Sequence, residues 1–574
     1  MITRSVRIAA AAFLVWNAVA LARIPASPHW WQGAVIYEIY PRSFQDSNGD
    51  GIGDLNGITS RLQYLRNLGV DAIWITPMFP SPLADFGYDI SDFENIAPEY
   101  GTLADFDRLL SQAHRHHIRV IVDMVLNHTS DKHPWFVEAS RSIDSKRHDW
   151  YVWSDGKVAA DGSRVPPNQW KTYFGESSWQ WVPSVGQFYY HAYYKEQPDL
   201  NWRNPAVETA MFSVMRFWLD RGVDGFRLDS ISNLFEDEQL RDDPPGEGVD
   251  GLGHPRINRI HTANQPELHH VIRRMRSMVS SYSGDRVLIG ETDLPDIRDL
   301  DKLYGGIRHD ELQLPIDAPV AYVDKLDATE FRRLLTEVNT EVHGSQPLLY
   351  FDCHDTDRSW DRYGDGVHNA LIARLIATLL LTSRATVLLY QGEELGQVTS
   401  KPTRLADVRD PVGKVFWPAY VGRDGERTPM QWDRSNAQAG FSPNTNPWLP
   451  VTKNYDAINV FNELKDPNSL LNWHKELIAL RRQYPALWNG DVVMLDPENP
   501  SVLSYARSSS GDDTVVTSLN MSDRPQSVFL DRQRLHSGNS QVRTLLSSGA
   551  DTNYSPANDR IFLSPFASWV GVLH

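Results

Sequence analysis

An alternation runs through most of this chain. Eight short, β-rich apolar runs each end in polar residues, and amphipathic helical stretches lie between them. The runs lie at 35–40, 72–76, 120–125, 225–228, 287–289, 312–316, 348–351 and 386–390. Between two of them, 103–117 carries Leu103, Phe106, Leu109, Leu110 and Ala113 at helical spacing, and 207–220 and 266–280 behave similarly. Eight strands alternating with helices argue for a closed β/α barrel.

Two interruptions stand out. Segment 129–202 is too long for a plain loop and is rich in Trp, Tyr, Pro and Gly, which predicts a small subdomain after the third strand. Segment 397–459 is a second insertion, after the eighth strand. Beyond a last helix near 470–484 the pattern changes to alternating strands with turn signals at 502–507, 514–519, 526–530 and 561–563. The expected fold is therefore α/β: an eight-stranded β/α (TIM) barrel with an inserted subdomain after strand three and a C-terminal antiparallel β domain. Its expected parts are 23–128 and 203–488 for the barrel, 129–202 for the subdomain and 489–574 for the β domain.

Residues 1–22 read differently. Arg4 and Arg7 precede an uncharged apolar stretch that ends in Ala20-Leu21-Ala22, a small-residue cleavage signature. The stretch is shorter than the roughly 20 residues of a bilayer span. It reads as a secretory signal peptide, with a short uncleaved anchor or a wrongly assigned start as the alternatives, and implies a secreted or periplasmic protein. The apolar run at 371–390 is broken by Arg374 and Arg384 and reads as a buried helix and strand rather than a membrane span, so no stable membrane insertion is expected. A net charge of −17 repels phosphate backbones and argues against nucleic-acid partners. The single cysteine, Cys353, excludes an intramolecular disulfide framework. Oligomeric state leaves no trace in the sequence.

Barrel enzymes place reactive groups at the carboxyl ends of their strands. Here those ends carry Asp123, Asn127 and His128 on the third, Arg227 and Asp229 on the fourth, Glu291 on the fifth, and His354 and Asp355 on the seventh. Crowded carboxylates repel one another, so such a cluster is costly unless it is used.

In this order, the segments DMVLNH, GFRLDS, IGETD and FDCHD resemble the four motif regions of glycoside hydrolase family 13, the α-amylase family. YEIYPRSFQDSNGDGIGDLNGI, GYDISD, QPDLNWRNPAV, LLYQGEELG and GRDGERTPMQWD narrow the resemblance to its exo-acting α-glucosidase and oligo-glucosidase branch. RDPVGKVFWPAYVGRDGERTPM and DWYVWSD look most like bacterial α-glucosidases that prefer short α-1,4-linked substrates. The likeness spans roughly 30–432. It implies a retaining hydrolase that removes terminal glucose from short oligosaccharides, with no organic cofactor. Asp229 matches the nucleophile, Glu291 the general acid/base, and Asp355 the carboxylate that stabilises the oxocarbenium-like transition state. His128 and His354 match residues that bond sugar hydroxyls, and Arg227 one that keeps Asp229 aimed. Asp89 and Arg423 match a pair that holds the non-reducing end, and Tyr88 would stack on the sugar. Phe174, with Trp170, Trp179 and Trp181, would wall the pocket. The Asp229 and Glu291 carboxyls are expected about 5–5.5 Å apart.

Two positions bear on detail. Cys353 stands where the family usually has Asn before the His-Asp pair, and a thiol is the poorer hydrogen-bonding group; it is expected to fill a buried spot behind His354. Ser230, directly after the nucleophile position, leans toward α-1,4 or sucrose-type linkages over α-1,6. In the 46–54 loop, Asp46, Asn48, Asp50, the Ile52 carbonyl and Asp54 alternate as oxygen donors around Gly51. That spacing suits a structural Ca²⁺ or Mg²⁺, and the family carries an ion there. The alternative is a turn closed by its own side-chain bonds. Two rivals share the barrel: a glucosyl-transferring isomerase such as trehalose synthase or sucrose isomerase, and a non-catalytic barrel of the transporter heavy-subunit type.

Overall fold

The computed structural model describes residues 29–574 except 293, 295, 317, 343, 444, 445, 510–512 and 539; the leader expected at 1–22 lies outside the described residues. The eight apolar runs become eight strands: β1 (Val35–Ile39), β2 (Ala72–Ile75), β3 (Arg119–Val125), β4 (Gly225–Asp229), β5 (Val287–Gly290), β6 (Leu314–Pro315), β7 (Leu348–Leu349) and β8 (Thr386–Tyr390). They pair in parallel in the order β6-β5-β4-β3-β2-β1-β8-β7. A parallel bridge from Ile316 to Leu348 joins the two ends, so the sheet closes on itself.

The period-two alternation of side chains divides the core. Ile36, Ala72, Trp74, Ile121, Val287, Ile289, Leu314, Leu348 and Leu388 form one cluster inside the barrel. Tyr37, Ile73, Val122, Phe226, Leu288, Leu349 and Leu389 face the surrounding helices in another. Nearer the carboxyl ends the inward positions turn polar. Register sets Glu38 beside Trp74 and Asp123 beside Arg227.

Local chemistry explains the helices. α1 (Leu103–Arg115) starts in a capping box: the Thr102 hydroxyl accepts from the Asp105 N–H, and the Asp105 carboxylate accepts from the Thr102 N–H. It buries Phe106, Leu109, Leu110 and Ala113. α2 (Pro205–Arg221) has Asn204 as its cap, Pro at its first position and Gly222 at φ 105° at its end, where a side chain would be strained. The 371–390 run becomes α3 (Asn369–Thr382) followed by β8.

Segment 129–202 contains a three-stranded antiparallel sheet of Trp153–Ser154, Gln187–Tyr190 and Trp179–Val182. A further insertion, which periodicity did not signal, follows β4. It holds an antiparallel hairpin of Pro245–Val249 and Pro255–Ile257, a stretch too rich in Asp, Pro and Gly to carry an apolar pattern. Beyond α4 (Leu470–Gln483) come two antiparallel sheets of five and three strands. The four expected strands are there, joined by Asp491–Leu495, Val542–Ser547, Asn553–Ser555 and Ser568–Leu573. The last is buried at every position, so no alternation betrays it. Among the described residues no helix is long and apolar enough to cross a membrane.

Candidate active site

The mouth is organised by one guanidinium. Arg227 and Asp229 sit two apart on β4, hence on the same face. Arg227 Nη1 meets Asp229 Oδ1 at 2.5 Å and Asp123 Oδ1 at 3.2 Å, and its Nη2 meets Glu291 Oε1 at 2.8 Å. Three carboxylates from three neighbouring strands thus share one cation, which also lies 5.0 Å from the Trp74 ring centre. Ser230 follows at φ 47°, a left-handed conformation that costs a non-glycine residue. That turn aims its N–H at Glu291 Oε2 (2.8 Å) and its hydroxyl at Tyr193 Oη (2.7 Å).

Asp355 is held from the other side. Its Oδ1 accepts from Arg423 Nη1 (3.1 Å) and Arg427 Nη2 (2.6 Å), and its Oδ2 lies 3.0 Å from His354 Nε2. Tyr88 stacks on His354 at 5.5 Å between ring centres; its hydroxyl lies 2.8 Å from His354 Nε2 and 3.2 Å from Asp123 Oδ2. His354 Nδ1 meets Glu38 at 2.5 Å. Cys353 is only half-buried. Its Sγ accepts from the Asp355 N–H at 3.4 Å and touches Thr356 Oγ1 at 3.4 Å. The thiol therefore fills the local turn-closing position of an Asn side chain, with a longer and weaker bond.

These neighbours set the charge states. The Glu291 side chain is 40% accessible, yet protein surrounds it; burial, with Asp229 and Asp355 nearby, raises its pKa against the pull of Arg227. Burial would also raise Asp355, but His354, Arg423 and Arg427 outweigh it and hold the carboxyl well below its usual range. One carboxyl is thus disposed to carry a proton and another to stay charged, the division of labour that acid–base chemistry on a glycosidic bond needs. Burial raises Asp123 to about 7 despite Arg227, and it lowers His128 to about 4, leaving that imidazole neutral. His128 Nε2 faces the Tyr88 carbonyl at 3.2 Å and Gln197 Nε2 at 3.0 Å.

Two expectations are corrected. Asp89 does not pair with Arg423. It is fully buried and its carboxylate accepts from Ser81 Oγ and from the Ala84 and Asp85 N–H groups, closing the turn beneath Tyr88. Arg423 instead reaches Asp85 at 2.9 Å, with Asp410 and Asp355 as its other partners. The DFGYD stretch holds two aspartates, and only backbone geometry tells them apart. Second, Trp170 and Trp179 do not wall the mouth. With Phe188, Tyr190 and Ala192 they form the subdomain's own core, against which Trp181 packs. Phe174 does approach the site, stacking on Tyr194 at 4.5 Å beside Tyr193. In the 46–54 loop the side chains also bond backbone: Asp46 accepts from the Asn48, Gly49 and Gly51 N–H groups, Asn48 from Asp50, Asp50 from Ile52, and Asp54 from Ser47 and Gly57. Its donors are all oxygen, which suits a hard cation chemically. Among the described residues, though, no three His, Cys, Asp or Glu side chains converge as a metal site.

Sequence reasoning missed Asp85, Arg427 and Glu38 and gave Asp123 no role beyond its place at a strand end. Arg427 stands in the quoted GRDGERTPMQWD segment and Glu38 opens the apolar end of YEIYPRSF, so their residue types were visible but not their directions. Glu393 and Glu394 support the end of β8: Glu393 accepts from the Tyr390 N–H and Glu394 from the Tyr37 and Tyr64 hydroxyls.

A closed β/α barrel whose strand ends gather three carboxylates beneath arginine and histidine partners has the layout of a carboxylate-based glycoside hydrolase. The chain belongs to the α-amylase family, whose catalytic-domain model matches residues 38–490. It is 42% identical over 518 residues to a probable α-glucosidase of Rhizobium meliloti (strain 1021), covering 88% of this chain and 92% of that one. It is 36% identical over 575 residues to an oligo-1,6-glucosidase of Parageobacillus thermoglucosidasius, covering 94% and 98%. Among solved structures, the α-glucosyl transfer enzyme XgtA superposes with a TM-score of 0.87 at 37% identity, over 96% of this chain and 100% of that one.

Proposed function

We propose that the protein is a retaining, exo-acting α-glucosidase that removes terminal non-reducing glucose from short oligosaccharides. The observation that carries this is the Arg227 guanidinium, bonded at once to Asp229 (2.5 Å) and Glu291 (2.8 Å). Two carboxyls on one guanidinium suit the short spacing of about 5–5.5 Å that a nucleophile and a general acid need in retaining enzymes. Asp229 attacks the anomeric carbon while Glu291 protonates the departing oxygen. Asp355, held charged, stabilises the positive charge that develops on the ring. Glu291 then takes a proton from water as it releases glucose with retained configuration. Arg423 with Asp85 closes the end of the cup, Tyr88 and His354 line its floor, and Phe174 and Tyr193 form its rim. Ser230, tied to Tyr193, leans the preference toward α-1,4 or sucrose-type linkages over α-1,6.

The likeness to XgtA supports a second reading, transfer of the glucosyl unit to another hydroxyl. Incubation with maltose, isomaltose, sucrose and trehalose, with products identified by NMR, decides between them. Hydrolysis gives α-glucose as the first product. Accumulation of trehalose or a sucrose isomer without free glucose contradicts the hydrolase reading.

Two further parts of the reading concern the whole protein. Residues 1–22 act as a leader for export to the periplasm or medium, and N-terminal sequencing of the mature protein, expected to start near Arg23, tests this. The 46–54 loop holds a Ca²⁺ or Mg²⁺ ion through Asp46, Asn48, Asp50, the Ile52 carbonyl and Asp54. A chelator should then lower Tm and added Ca²⁺ or Mg²⁺ restore it; a Tm indifferent to both contradicts the ion.

A further inference from the structure

We propose that Glu38, on the first barrel strand, is a positioning residue: it holds His354 as an imidazolium, so that Nε2–H presents a fixed positive charge to Asp355. A carboxylate only accepts. His354 has Glu38 against Nδ1 at 2.5 Å and Asp355 against Nε2 at 3.0 Å, so both contacts are satisfied only if both ring nitrogens carry protons. The Tyr88 hydroxyl at 2.8 Å from Nε2 fits the same state, because it can accept there and donate to Asp123 Oδ2 at 3.2 Å.

Glu38 is itself fully buried, and its Oε2 meets no hydrogen-bonding partner. Its one strong side-chain contact is the imidazole, and its Oε1 also accepts from the His354 backbone N–H at 3.4 Å. The other charged and titratable groups packed around the pair come from several elements. Asp355 and Cys353 flank His354 in the chain, Tyr88 follows β2, and Asp123 and Arg227 stand on β3 and β4 beyond it. Arg427 bonds the His354 carbonyl at 2.8 Å and, with Arg423, bonds Asp355. Tyr40 and Tyr390 lie on the β1 and β8 sides. Of these, only Glu38 and Asp355 place a carboxylate on the ring nitrogens. Burial works against charge on His354, yet these two hold its pKa up at about 9. A raised value means the cation persists below that pH and is lost as pH rises through it.

The consequence for the reaction rests on the proposed glucosidase function; the charge state does not, and the two are read separately. The charge state is followed by ¹⁵N NMR titration of the imidazole, assigned by loss of its signal in His354→Asn. The wild type should titrate near pH 9. Glu38→Gln, which keeps shape and removes charge, should lower that midpoint by about one unit or more, which is tenfold in the ratio of the two forms. Glu38→Asp, which keeps the charge but retracts it, should fall between them. For the reaction, α-glucosyl fluoride is the substrate, because its leaving group needs little proton donation and so uncovers His354 behind Glu291. The Gln variant should retain kcat/KM to within about threefold at pH 6 and lose about fivefold or more relative to wild type at pH 9, following the fraction of His354 still protonated. Circular dichroism and Tm establish that each variant is folded. A His354 midpoint in Glu38→Gln within about 0.3 unit of wild type overturns the proposal, since that difference is only about twofold in ionisation. A shifted midpoint with an unchanged pH–rate profile overturns its link to the reaction.

Discussion

At the residue scale, the account turns on one proton. Glu291 is raised by burial and by its carboxylate neighbours, while Asp355 is kept charged by two arginines and a histidine. If Glu291 donates to the leaving oxygen, Glu291→Gln should lower kcat on maltose by about 10²–10⁴-fold, the usual worth of a general acid. The first step on 4-nitrophenyl α-glucoside should suffer much less, because that leaving group departs without help. Equal losses on both substrates would remove Glu291 from the role. The strand-end placement of Asp229, Glu291 and Asp355 was readable because each follows an apolar run directly. Cys353 was not: its exposure and its bond to the Asp355 N–H depend on a turn whose dihedral angles residue type does not dictate.

At the scale of elements, the loop after β2 separates two aspartates that look alike in sequence. Asp85 pairs with Arg423, and Asp89 closes the turn beneath Tyr88. Asp85→Asn should raise KM and, because it removes the charge of a buried ion-pair partner, also lower Tm. Asp89→Asn should lower stability by about 1–3 kcal/mol, because a buried acceptor of three bonds is altered, and it should affect KM little once folded. The reverse pattern would restore Asp89 as the partner in binding. A pH effect accompanies this. Burial lifts Asp85 to about 6 despite Arg423 and Arg427, so protonation as pH falls through about 6 takes a partner from Arg423. KM should rise below that pH in the wild type, and the inflection should vanish in Asp85→Asn. Elements with a strong period announced themselves: the barrel strands and α1 show it along their length. The hairpin of 245–257 and the strand Ser568–Leu573 did not, the first for want of apolar residues and the second because every position is buried.

At the scale of the whole molecule, the terminal sheets are fastened to the barrel rather than tethered beside it. Leu503, Tyr505, Leu519, Met521 and Phe566 share the core that packs around the barrel. Arg481 of α4 is 2% exposed and donates to the carbonyls of Gly33, Leu381, Ser383 and Ala385, tying β1 and the turn between α3 and β8 to the last helix. Arg481→Met should therefore cost on the order of 3 kcal/mol or more, since several bonds to a charged donor are lost and buried carbonyls are left unpaired. It should lower Tm by several degrees while kcat at 25 °C stays near wild type. An unchanged Tm would show that the four bonds add nothing. Sequence reasoning recognised a β domain there, but not this attachment, because nothing in a local pattern says that a helical arginine will turn inward.

The central claim is that Asp229 attacks a sugar carbon while Glu291 and Asp355 stand over the same carbon. The most direct measurement is to trap the intermediate with 5-fluoro-α-D-glucosyl fluoride, digest the protein, and locate the label by mass spectrometry. A single glucosyl adduct on the peptide containing Asp229, absent from Asp229→Asn, is the result predicted. An adduct on any other residue, or steady turnover of the reagent with no adduct at all, would contradict it.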